Sequence, residues 1–163
     1  MWHDRVMEVY RLANTSYIPL DGKGGLYGAG RWHSIGNLVT YAGSSRALAV
    51  LERFIHDADT LSVPNLQMLT IHIPDHMSFD QRFEKDLPKG WDTTENGQQQ
   101  VSQNIGTAFL KKLAHPYLKV PSAIVSHEYN YILNPLHPDA NEIKVISTCS
   151  YQYDPRYKKM IRE

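Results

Sequence analysis

Apolar and polar positions divide the chain into short strand-like runs and two helix-like ones. Val6 to Leu12 mixes β-branched, aromatic and apolar residues and predicts a strand. Asp21 to Gly30 carries five glycines in ten positions, so it predicts a loop. Asn37 to Tyr41 is short, β-branched and aromatic, and predicts a strand that Gly43 ends. Ser44 or Ser45 then caps a helix whose apolar face is Ala47, Leu48, Val50, Leu51, Phe54 and Ile55. Leu66 to Ile73 predicts a strand closed by Pro74. Phe79 to Asn96 has mixed polarity and predicts irregular structure, and Gln98 to Leu113 a second helix. Tyr117 to Val125, Tyr129 to Leu133 and Ile143 to Thr148 predict three more strands. Strands outnumber helices and cluster late. That order implies an α+β domain spanning 1–163, rather than a doubly wound parallel sheet.

Composition narrows the function classes. Basic and acidic residues balance at 17 each, so no global charge argues for nucleic acid or a membrane surface. A lone cysteine, Cys149, forms no internal disulfide, which fits a reducing compartment. No apolar run approaches the roughly 20 residues of a membrane span. Charges at the N-terminus argue against a signal peptide, and the expected location is the cytoplasm.

Several side chains carry candidate chemistry. Arg31 leaves the glycine-rich loop, followed by Trp32 and His33. A guanidinium there can hold a phosphate bidentately, or be ion-paired at a surface turn. Tyr41 ends a strand; it can stack on a flat ring with its hydroxyl free, or be a half-buried sheet tyrosine. Glu52 lies four residues after Leu48 and three before Ile55, at the border of the helix's apolar face. A carboxylate losing solvation there needs a partner, and Arg31, Arg46 and Arg53 are the candidates. Such a carboxylate can stabilise positive charge at a sugar carbon; a solvated boundary residue is the plainer alternative. Ser122 interrupts an apolar strand, and Asn134 precedes a proline. Both can bond an amide or a ribose hydroxyl, or serve as a strand hydroxyl and a turn former. Among the eight histidines, His115, His127 and His137 are scattered and none of these three pairs with another at the zinc-protease spacing, so no metal is expected. A Gly-x-Ser-x-Gly elbow is absent from the sequence.

These pieces join in one ordered series. Arg11-Leu12, Gly28-Ala29-Gly30-Arg31-Trp32-His33, Val39-Thr40-Tyr41, Ala47-Leu48-Ala49-Val50-Leu51-Glu52, Leu87-Pro88-Lys89-Gly90-Trp91, Val120-Pro121-Ser122 and Leu133-Asn134-Pro135 follow one another between about Tyr10 and Pro155. The series resembles the RES-domain family, named for an arginine, a glutamate and a serine. Their positions here are Arg31, Glu52 and Ser122, with the family's tyrosine at Tyr41 and its Asn-Pro motif at Asn134.

The resemblance implies an ADP-ribosyltransferase-like fold, a split, mostly antiparallel sheet with flanking helices. It implies the toxin of a type II toxin–antitoxin system, which cleaves the nicotinamide–ribose bond of NAD+ by hydrolysis or phosphorolysis and arrests growth. NAD+ is then a substrate, and no metal is used. The implied partners are an Xre-type helix-turn-helix antitoxin and a second copy of the chain, with no direct nucleic-acid binding and no membrane. In the implied site Glu52 faces the cationic ribose or holds its hydroxyls, Arg31 the pyrophosphate and Tyr41 the nicotinamide ring. Ser122 and Asn134 orient the nicotinamide amide or ribose, and Trp32 and His33 complete the pocket. Two alternatives are a protein mono-ADP-ribosyltransferase and a catalytically silent subunit of a DNA-binding antitoxin.

Overall fold

The computed structural model describes residues 6–60, 65–93 and 99–160. The expectations for the N-terminal residues 1–5, for residues 94–96 and for residue 98 lie outside them. Among the described residues, seven strands form one sheet in the order β4-β5-β6-β2-β1-β3-β7. They are β1 (Val6–Asn14), β2 (Thr40–Gly43), β3 (Leu66–Pro74), β4 (Asp80–Gln81), β5 (Tyr117–Pro121), β6 (Tyr129–Leu133) and β7 (Lys144–Tyr151). Every pairing is antiparallel except β4 with β5. Helices α1 (Arg46–Thr60), α2 (Gln99–Lys112) and the short α3 (Tyr157–Met160) complete the fold. The mixed, mostly antiparallel architecture is the one expected.

Side chains alternate across the sheet, as the pleat requires. Val9, Ala13, Ala42, Leu69, Ile71, Tyr131 and Leu133 pack on one face. On the other, Leu12, Leu66 and Met68 pack with Ala49 of α1, while Leu118, Val120 and Ile132 pack with Phe109 and Leu110 of α2 and with Trp32. The sheet is weakest at its middle. β1 and β3 share nine registered pairs, but β1 and β2 share one, Tyr10 with Gly43. Beyond that pair the strands part, and Arg11 bridges them by donating from Nη1 to the Tyr41 carbonyl at 3.0 Å.

Three predicted elements differ in instructive ways. Ser45, not Ser44, caps α1: its hydroxyl accepts from the Leu48 N–H at 3.1 Å, while Ser44 donates to Glu128. The apolar face of α1 is also wider than the sheet covers. Leu48 and Ala49 are buried, but Leu51 and Ile55 are exposed, and Leu51 borders an apolar groove with Phe54, Tyr151 and Tyr157. The strand predicted to reach Val125 stops at Pro121. There the Ser122 hydroxyl accepts from the N–H groups of Ile124 and Val125, both at 3.1 Å, and turns the chain. At the sheet edge, β7 runs on to Tyr151, with Ile146 bulged between the pairs that Val145 and Ser147 make with Ile71 and Thr70.

Candidate functional site

Gly28 to His33 forms a tight turn that presents Arg31. The Gly30 N–H bonds the His33 carbonyl at 3.1 Å, and Gln103 of α2 donates to the Gly30 carbonyl at 3.0 Å. A Cβ at Gly30 would lie 2.7 Å from the Tyr41 hydroxyl and 2.9 Å from the His33 ring, so a side chain there would push that pair apart. The His33 ring closes the turn. Its Nε2 lies 2.8 Å from the Gly28 carbonyl, and its Nδ1 lies 2.6 Å from the Tyr41 hydroxyl. A carbonyl only accepts, so Nε2 carries the proton and Nδ1 accepts from Tyr41. The Tyr41 oxygen in turn accepts from the Trp32 N–H at 3.1 Å. Burial pushes His33 below the usual imidazole range and Tyr41 well above the usual phenol range, so both stay neutral.

Packing seals the same turn from behind. Trp32 is fully buried against Trp91, ring centroids 5.8 Å apart. A Cβ at Gly106 would fall 1.7 Å from the Trp32 carbonyl oxygen, so α2 rests directly on the turn. Arg31 thus projects from a rigid base. Its Nη1 donates to the carbonyls of Trp91 at 2.9 Å and Thr93 at 3.3 Å, and among the described residues no carboxylate pairs with it.

Glu52 is held differently. It lies one turn after Leu48 and Ala49, the two residues that seat α1 on the sheet. The arginine partner expected from the sequence is not there. Arg53 pairs with Asp57 at 3.0 Å, Arg46 covers the Tyr10 ring at 4.3 Å, and Arg31 faces backbone carbonyls. Instead Glu52 Oε1 accepts from the Ser122 hydroxyl at 3.0 Å and from Asn130 Nδ2 at 2.7 Å. Both donors are neutral, so neither offsets the charge of the carboxylate. Oε2 has no partner among the described residues.

The sheet brings the two arms together. Tyr41 pairs with Ile132 and Gly43 with Asn130, so Tyr41 and Asn130 are diagonal neighbours on one face of β2 and β6. Tyr41 holds the Arg31 turn and Asn130 holds Glu52.

The remaining predicted residues have other duties. The Tyr41 hydroxyl is not free, and His33 uses both ring nitrogens. Trp32 is core. The Ser122 hydroxyl gives its one proton to Glu52 and fills its lone pairs with two backbone N–H groups, so it has no hydrogen bond left for a substrate. Asn134 is buried just past the end of β6, four residues or about 13 Å along the extended chain from Asn130. Its Nδ2 donates to the Leu110 carbonyl at 2.9 Å, and its Oδ1 accepts from the Leu136 N–H at 3.2 Å. It ties the end of α2 to the sheet and stands apart from Glu52.

Two residues have no role in the sequence reading, although Arg11 opens its series of motifs. Asn130 hides between two tyrosines, and only the alternation of Tyr129-Asn130-Tyr131 marks it as a lone polar group on its face. Arg11 is a charge inside an apolar strand, a signal that was available. Its Nε is buried with no partner, and burial, reinforced by nearby Arg53, lowers its guanidinium to about 10. It remains charged at neutral pH and lacks a carboxylate among the described residues. No group of three or more His, Cys, Asp or Glu able to hold a metal occurs among the described residues. No helix among them is long and apolar enough to cross a membrane.

Known proteins share this arrangement of sequence and fold. The RES domain profile matches residues 8–154. The "Prs ADP-ribosylating toxin" of Sphingobium sp. is 38% identical over 147 residues, covering 88% of this chain and 88% of that protein. "Toxin Res" of Pseudomonas putida is 36% identical over 133 residues, covering 80% of this chain and 88% of that one. The crystal structure of the M. tuberculosis MbcT-MbcA toxin-antitoxin complex contains a chain of the same fold, with TM-score 0.75, 12% identity, and coverage of 98% and 91%. With the profile spanning almost the whole chain and these relatives aligned along most of their length, the protein belongs to the RES domain family.

Proposed function

We propose that this chain is the toxin of a toxin–antitoxin pair and that it cleaves the nicotinamide–ribose bond of NAD+. The observation that carries the reading is the Glu52 carboxylate, fixed through one oxygen by neutral donors and left uncompensated at the other. Loss of nicotinamide leaves an oxocarbenium-like ribose, and a nearby anion lowers the energy of that state. Arg31 keeps guanidinium nitrogens beyond the one bonded to Trp91 and Thr93, and these suit the NAD+ pyrophosphate. Arg11, with its orphaned Nε, is a second cation at the opening between β1 and β2. Tyr41, His33 and Trp32 then serve the substrate by holding the Arg31 turn.

The acceptor of the ADP-ribose defines two readings. Water or phosphate as acceptor would drain NAD+ and arrest growth. A protein acceptor is favoured by one observation, the ADP-ribosylating toxin among the relatives. The toxin–antitoxin complex of matching fold supports an antitoxin partner for this chain, and an Xre-type helix-turn-helix protein is the one we propose. The deciding experiment incubates the purified chain with NAD+, with and without phosphate and cell extract. Nicotinamide should appear wherever the acceptor is present: in buffer alone for water, only with phosphate for phosphorolysis, and only with extract for a protein acceptor. Free ADP-ribose or its 1″-phosphate marks the first reading, and a mass increment on an extract protein the second. No nicotinamide in any mixture overturns both.

A further inference from the structure

We propose that Asn130 is a positioning residue for Glu52: its amide, together with the Ser122 hydroxyl, pins Oε1 so that Oε2 is the oxygen presented to the ribose. What Oε2 does rests on the proposed NAD+ cleavage; how it is presented does not. A glutamate on a helix has freely rotating side-chain bonds, and an exposed one samples several rotamers. Two donors converging on one oxygen remove that freedom. The Asn130 contact, 2.7 Å, is in the range of a charge-assisted hydrogen bond.

The fold holds the donor still. β6 is an interior strand, with Asn130 opposite Gly43 on β2 and Val120 on β5. Gly43 lies directly beneath α1, at ordinary contact distance. A Cβ there would sit 3.4 Å from the Ala49 nitrogen and 3.4 Å from Leu48 Cγ. The helix therefore arrives at a set height above Asn130, one turn before Glu52. The choice of an amide matters as well. A lysine in its place would neutralise the carboxylate, and an aspartate would repel it. A neutral donor orients the charge and leaves it intact.

The test combines a double-mutant cycle with a measurement that needs no activity. Asn130→Ala should lower kcat for nicotinamide release about ten- to hundredfold, the worth of a hydrogen bond to a charged group. KM for NAD+ and the melting temperature should hold. In a Glu52→Gln background, the same substitution should change kcat less than about twofold, because it acts through the carboxylate already removed. Additive losses, or a rise in KM with kcat unchanged, would overturn the proposal. Independently, the ¹⁵N spectrum of the wild-type chain should show a protected Asn130 side-chain amide proton that loses protection in Glu52→Ala. An amide signal indifferent to Glu52→Ala refutes the positioning contact whatever the enzyme does. A wild-type chain that releases no nicotinamide refutes the proposed function, and the amide measurement still decides the contact.

Discussion

The two arms of the site are built by opposite means. The Arg31 turn is set by packing and backbone: Gly30 fits beneath the Tyr41 hydroxyl, Gly106 lies against the Trp32 carbonyl, and Trp32 itself is buried. The Glu52 arm is set by two polar side chains that meet one carboxylate oxygen. The first arm shares its contacts with the hydrophobic core, so damage to it destabilises the protein. The second rests on Leu48 and Ala49 of α1 and on the backbones of β5 and β6, and its polar side-chain contacts are separate from the apolar packing, so they can be removed with the fold intact. Function at Arg31 is thus coupled to stability, and function at Glu52 is largely separable from it.

The largest expected effect sharpens the contrast from the Glu52 side. Glu52→Gln keeps the shape and an acceptor for Ser122 and Asn130, and removes only charge. Nicotinamide release should fall about 10²–10³-fold, or roughly 2.7–4 kcal/mol of transition-state stabilisation. The melting temperature should stay put; a folded Glu52→Gln chain with near-normal turnover would remove the carboxylate from the mechanism.

Gly106→Ala attacks the other arm from behind. The new methyl has nowhere to go but into backbone, so α2 must move off the Arg31 turn. Overpacking of this kind costs about 1–3 kcal/mol. Chemical denaturation should register the loss and NAD+ affinity should decline with it. Unchanged stability would mean that α2 does not rest on Trp32 as described.

A smaller cut is Tyr41→Phe. It leaves the buried Trp32 N–H and the His33 Nδ1 without their partner, at about 1–2 kcal/mol of stability. Because the phenol positions Arg31, weaker NAD+ binding should accompany the lower melting temperature. A variant with full stability and weakened binding would return Tyr41 to direct contact with the nicotinamide ring.

The mildest effect is a pH dependence. Burial lowers the folded-state value of His33, so the unfolded chain takes up the proton first as pH falls. The stability contributed by neutral His33 is complete above the ordinary imidazole value of about 6.5 and declines below it. Thermal melts between pH 7.5 and 5.5 should therefore fall more steeply for the wild type than for His33→Asn. Parallel slopes would show that His33 is not held neutral in the turn.

Much of this molecule is written locally. The serine cap and the Leu48 spacing sufficed to place α1 and to set Glu52 at its sheet-facing edge, because helix geometry links residues four apart. Alternation and turn residues located β1, β3 and β6, and ordered motifs marked Arg31 and Glu52. What local pattern cannot state is which hydrogen-bonding atoms remain available after folding. Ser122 reads as a substrate ligand until its hydroxyl meets Glu52, 70 positions earlier, and the N–H groups of its own turn. Asn134 reads as a site residue until the end of α2 takes its amide. Asn130 is unremarkable until β6 is laid beside β2 and α1 is lowered onto Gly43, which joins residues 78 positions apart. Each donor and acceptor has a fixed small capacity, and only the tertiary structure decides which neighbours use it.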